Sequence, residues 1–170
     1  MPSTPHKFPR ILVSRCLLGE PVRYDGRAKP LSHPLLQRWR EQGLLVPVCP
    51  EVLGGLDAPR PPAEIAGGDG ADVLAGRARV LTIDGEDVSA AFIEGAQQAR
   101  ELAEREGCAF ALLKENSPSC GTHRIAAGSF DGSRRPGQGI TTALLRAAGL
   151  RVFSEGEVDA LAAALHDLNA

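Results

Sequence analysis

No run of about 18 apolar residues occurs in the 170-residue chain, so the sequence offers no membrane-spanning segment. The opening MPSTPHKFPR also lacks the apolar centre of a secretory signal, being polar and interrupted by proline. A cytoplasmic address is the expectation. Aromatic residues are scarce at 4%, so a core must be assembled from Leu, Val, Ile and Ala. There is no surplus of positive charge either. A formal net charge of -2 argues against a nucleic-acid partner, whose binding surfaces carry a clear excess of Lys and Arg. Finally, no CxxC pair occurs, which weighs against zinc ribbons and thioredoxin-like sites.

What is present suits one α/β domain. With 43% apolar residues the chain can bury a sizeable core, and a single domain over residues 10–168 is expected, preceded by a flexible segment over 1–9. ILVSRC (11–16) and LLVPVCP (44–50) have the shape of buried strands. Between them HPLLQRWREQG (33–43) spaces Leu35, Leu36 and Trp39 as a helix, with Ser32 as its cap and Gly43 at its end. RARVLTIDG (77–85), CAFALLK (108–114) and LRVFS (150–154) are further strands. Helices are expected over 87–107, 137–149 and 157–168. This alternation predicts a mostly parallel sheet with helices on both faces. Two stretches, 51–72 and 117–139, resist the scheme and are expected as long loops at strand ends, where binding sites concentrate.

Ligands of open parallel sheets sit beyond the carboxyl ends of the strands. Cys16 ends the first strand, Cys49 the second, and Cys120 follows Lys114 by six residues, which sends three thiols to one rim. Cys108 opens its strand and is expected at the far end, as a core or surface thiol. Three such thiolates can bind zinc, hold three corners of an iron–sulfur cluster, or simply fill space. The two metal readings leave one coordination position open for a substrate.

Glu51 lies two residues from Cys49, within reach of that position as a general acid or base, or else is a solvent-facing loop residue or an anion at a helix start. In SPSC, Ser117 and Ser119 either shape a turn or offer hydroxyls to a ligand. Arg15, Tyr24, Arg60, Glu64, Lys114 and His123 are further polar candidates.

Four blocks carry a resemblance: SRCLLGEPVRYDG (14–26), VPVCPEVLGGLDAPRPPAEI (46–65), LLKENSPSCG (112–121) and GITTALLRAAGLRVFSE (139–155). In order and spacing the chain resembles a family of small bacterial proteins, long labelled a domain of unknown function, that includes the thiouracil desulfidases. The resemblance implies a [4Fe–4S] cluster on Cys16, Cys49 and Cys120, with one iron not bound by protein, and a hydrolytic, non-redox removal of sulfur. The substrate sulfur would sit on the free iron, and water would supply the oxygen of the product. Glu51 matches the acid–base residue, and Ser117, ahead of Ser119, its polar partner. The implied partner is a small thiolated nucleobase. A noncatalytic iron–sulfur or zinc protein for sulfur handling is the alternative.

Overall fold

The computed structural model describes residues 9–168; residues 1–8, most of the segment expected to be flexible, lie outside them. Four parallel strands make the main sheet: β1 (Arg10–Ser14), β2 (Leu45–Val48), β5 (Cys108–Leu113) and β8 (Arg151–Ser154), in the order β2-β1-β5-β8. Ile11, Leu12 and Val13 are wholly buried, as a central strand covered on both faces requires. The register keeps the carboxyl ends level, with Ser14 beside Val48 and Leu113 beside Ser154.

Helices cover both faces, as expected. On one side α1 (Pro34–Glu41) and α6 (Val158–Leu168) set Leu36, Trp39, Leu161 and Leu165 against Ile11, Val13 and Phe110. On the other, α4 (Ser89–Arg105) and α5 (Ile140–Ala147) pack Ala99, Ala103 and Leu145 against Leu12, Ala111 and Val152. The buried positions 92, 96, 99 and 103 of α4 recur at helical spacing, which is why this helix is legible in the sequence. The cap of α1 differs from expectation. His33, not Ser32, stands in extended backbone, and its Nδ1 accepts the Leu35 amide at 3.1 Å while Pro34 opens the helix.

The run around Val80 does not join the main sheet. Its strand β4 (Arg79–Thr82) pairs antiparallel with β3 (Ala63–Ala66), inside the first stretch expected to be a loop. Ile65 and Val80 bury themselves against Phe92, Ala96 and Ile125 in a separate cluster, which removes any need for a place in the sheet. That stretch also overlaps α2 (Pro50–Leu53) and α3 (Gly70–Leu74), and the second one holds a short hairpin of β6 (Arg124–Ala126) and β7 (Arg134–Pro136).

Two glycine contacts fix the elements that line the sheet rim. Gly54, at the end of α2, and Gly95, inside α4, let the two backbones touch. A Cβ on Gly95 would strike the Pro50 carbonyl oxygen, and one on Gly54 would strike that of Ala91. Gly95→Ala is therefore expected to destabilise the fold by about 3 kcal/mol, the upper range for overpacking. A urea midpoint unchanged from wild type would contradict this packing.

Candidate active site

The carboxyl ends of β1, β2 and β5 open into one cavity of about 580 Å³, lined by Cys16, Cys49 and Cys120 together. That volume is in the range of small-molecule sites. Each thiol arrives by its own device. Cys16 is buried in a single 3-10 turn, Arg15–Leu18, which Gly19 ends in the left-handed region at φ 94°. Cys49 is the residue capping α2, with Pro50 in the first helical turn. Cys120 is held by Ser117, whose Oγ accepts the amides of Ser119 at 3.1 Å and Cys120 at 2.7 Å. Gly139 lets the start of α5 lie directly on this loop, since a Cβ there would strike the Ser119 carbonyl. Cys108 stands at the opposite end of β5 and is not among the lining residues.

Burial pushes the Cys16 thiol up to about 11, and the neighbouring Cys49 adds to the rise while Arg23 and Lys114 oppose it. Burial likewise raises Cys49, against a hydrogen bond from the Val52 amide. Cys120 is raised too, first by burial and then by Glu51, Cys49 and Cys16, with the Ser119 hydroxyl opposing. All four cysteines are free thiols. Ionising all three sulfurs around one cavity would require a compensating cation. Soft donors on three separate segments fit a thiolate-ligated iron–sulfur cluster. Among the described residues, no three His, Cys, Asp or Glu side chains form a set able to hold a single metal ion.

Glu51 lines the same cavity from the first turn of α2. Burial raises its carboxyl above the ordinary carboxylate range, and the Arg60 guanidinium opposes that rise through an ion pair with Oε2. Ser117 also faces the cavity. Because its oxygen already accepts two amides, its hydroxyl proton is the part left to offer a ligand.

Ser119 is turned away. It is 1% exposed, pairs with the Thr141 hydroxyl at 2.9 Å and lies 3.6 Å from the Cys120 sulfur. Ser119→Ala leaves the buried Thr141 hydroxyl without this partner, at a cost of about 1–3 kcal/mol. The expected result is a lower urea midpoint with an unchanged KM, whereas Ser117→Ala is expected to slow turnover. A KM change in the Ser119 variant alone would reverse the two assignments.

The remaining candidates divide. Lys114 lines the cavity with Nζ held by Glu155 at 2.9 Å and by the Glu115 carbonyl at 3.1 Å. Arg15 lines it too, but its guanidinium is engaged by Glu20 in two 3.0 Å hydrogen bonds. Tyr24 stands exposed at the wall, with Arg23 over its ring at 5.8 Å. Glu64 touches the cavity, yet its Oε1 accepts the Gly128 and Phe130 amides and so braces the β6–β7 hairpin. His123 is not brought in; it is exposed and pairs with Glu157 at 2.9 Å.

Sequence reasoning passed over Glu115. Its Oε1 accepts the amides of Thr122 at 2.6 Å and of His123 and Arg124 at 3.1 Å, and its Oε2 accepts the Thr122 hydroxyl. Burial alone would raise this carboxyl, but those hydrogen bonds hold it below the usual range. It folds the loop that presents Ser117 and Cys120. The only available signal was an acidic residue at the mouth of a loop whose amides need an acceptor.

Comparison with known proteins agrees with this geometry. The 2-thiouracil desulfurase family model matches residues 11–157. The uncharacterized protein YbbK of Bacillus subtilis (strain 168) is 45% identical over 152 residues, covering 88% of this chain and 97% of that one. The solved structure of TudS, a [4Fe-4S]-dependent thiouracil desulfidase, is 47% identical, covers 93% of this chain and 98% of its own, and superposes with a TM-score of 0.85. The chain belongs to the 2-thiouracil desulfurase family.

Proposed function

We propose that the protein is a thiouracil desulfidase that replaces the sulfur of a thiolated uracil, or a related thiolated nucleobase, with oxygen from water. The reaction is hydrolytic and balances without a redox partner: C=S and water become C=O and hydrogen sulfide. The observation that carries this reading is the convergence of three buried thiols, a carboxylate and a hydroxyl on one cavity in a chain of this family. The likeness to a [4Fe-4S]-dependent thiouracil desulfidase supports the same cofactor here.

Cys16, Cys49 and Cys120 would hold the cluster, leaving one iron without a protein ligand. When bound, such a cluster supplies a soft Lewis acid matched to a thiocarbonyl sulfur. The chain's own residues do the rest. Glu51 takes a proton from the attacking water and returns one to the leaving sulfur or the ring nitrogen. The Ser117 hydroxyl donates to the heterocycle and sets its orientation. An uncharged heterocycle needs no large basic surface, in keeping with the net charge of -2. The activity resides in a single domain over residues 10–168. Among the described residues no helix is long and apolar enough to cross a membrane, and free thiols at the site suit a reducing cytoplasm.

The test is an anaerobic sulfide-release assay on reconstituted protein with 2-thiouracil and 4-thiouracil. Release of sulfide and uracil in equal amounts from at least one of them is expected. Cluster binding without sulfide release from either would leave a noncatalytic iron–sulfur protein instead.

A further inference from the structure

We propose that Arg60 is the positioning residue for Glu51, an inference that rests on the acid–base reading of that carboxylate. Arg60 lies in the segment ahead of β3, outside the three cysteine-bearing turns. Its guanidinium reaches three separate acceptors: Nη2 binds Glu51 Oε2, while Nη1 donates to the Val22 carbonyl at 3.1 Å and the Asp57 carbonyl at 2.8 Å. Its backbone amide adds a fourth tie, to the Tyr24 carbonyl at 2.6 Å. The Arg60 side chain is 7% exposed and that of Glu51 17%, so the pair is largely closed to bulk water.

This arrangement does two things that a surface ion pair does not. First, it assigns the two carboxylate oxygens different tasks. Oε2 is held by the guanidinium, and Oε1 has no hydrogen-bond partner among the described residues, so it is the oxygen left to exchange protons. Second, it anchors the carboxylate to the neighbouring backbone. The planar fork links Glu51 to the 22–24 loop, whose Val22 carbonyl is also 3.9 Å from the Cys49 sulfur. A lysine keeps the charge but not the fork, and cannot reach all three acceptors in fixed geometry. Arg60 thereby acts through Glu51, not as a group that touches the reacting atoms.

The experiment compares wild type with Arg60→Met, Arg60→Lys, Glu51→Gln and the Glu51→Gln, Arg60→Met double variant, all reconstituted anaerobically. Arg60→Met is expected to retain iron content and the visible spectrum, to lose about 100-fold in kcat from a misplaced base, and to keep KM within about threefold. Arg60→Lys recovers part of the loss. The double variant is no slower than Glu51→Gln alone, because the two residues act as one unit. Without cluster, Arg60→Met lowers Tm, and removing the Glu51 charge as well restores part of it.

Wild-type kcat in Arg60→Met, or a loss that multiplies with that of Glu51→Gln, overturns the inference. So does a change confined to KM, which would make Arg60 a substrate contact. If Arg60→Met does not fold, Arg60→Lys decides, and wild-type kcat there overturns it. An unaffected Glu51→Gln would instead remove the acid–base reading on which the inference rests.

Discussion

Alanine at Cys16, Cys49 or Cys120 is expected to abolish both cluster retention and sulfide release, while alanine at Cys108 leaves both intact. The three affected thiols line one cavity, and Cys108 sits at the opposite end of β5. Loss is expected to be complete, because two remaining thiolates hold a cluster by too few corners, and an incompletely ligated iron is exposed to oxidants. Iron and acid-labile sulfide analysis after anaerobic reconstitution, beside the visible spectrum, reads the first effect; sulfide release reads the second. A variant of these three that kept iron and activity would remove its cysteine from the ligand set. Loss on replacing Cys108 would mean that the thiol at the wrong end of the strand matters, against the rim geometry.

Glu51→Gln is expected to lower kcat by about 100–10,000-fold, the usual contribution of a positioned general acid or base. The substitution keeps the shape and one acceptor oxygen for Arg60 while removing the titrating group, so iron content and the spectrum should match wild type. Burial raises the Glu51 carboxyl, first and most, and Arg60 opposes that rise. Such a group is poised closer to neutrality than a solvent-exposed glutamate, as proton exchange requires. Full activity in the glutamine variant would assign proton transfer elsewhere.

Much of this site was legible because parallel strands send their carboxyl ends to one rim. The spacing of Cys16, Cys49 and Cys120 from three strand ends was enough to expect a common cavity, and it exempted Cys108. The long helix was legible from the face of Val88, Phe92, Ala96, Ala99, Leu102 and Ala103, of which Phe92, Ala96, Ala99 and Ala103 are buried. What escaped depended on contacts without local periodicity. Strands β3 and β4 are four residues each, and Gly- and Pro-rich neighbours hid the antiparallel pair. The partner that engages the Ser119 hydroxyl is Thr141, 22 residues further along and invisible to local spacing. Arg60 stood among six polar candidates with nothing in the sequence to pair it, until the fold brought it to Glu51. Glu115 drew no notice because its acceptors' partners are backbone amides, which every sequence contains.

The most direct measurement is sulfide release from thiouracil in isotopically labelled water by the anaerobically reconstituted protein, with iron counted in the same sample. The account predicts about four iron atoms per chain, release of sulfide without added oxidant or reductant, and the oxygen label in the uracil at one atom per sulfide. A colourless, zinc-loaded, iron-free preparation with full activity would contradict it, and so would uracil whose new oxygen does not come from water.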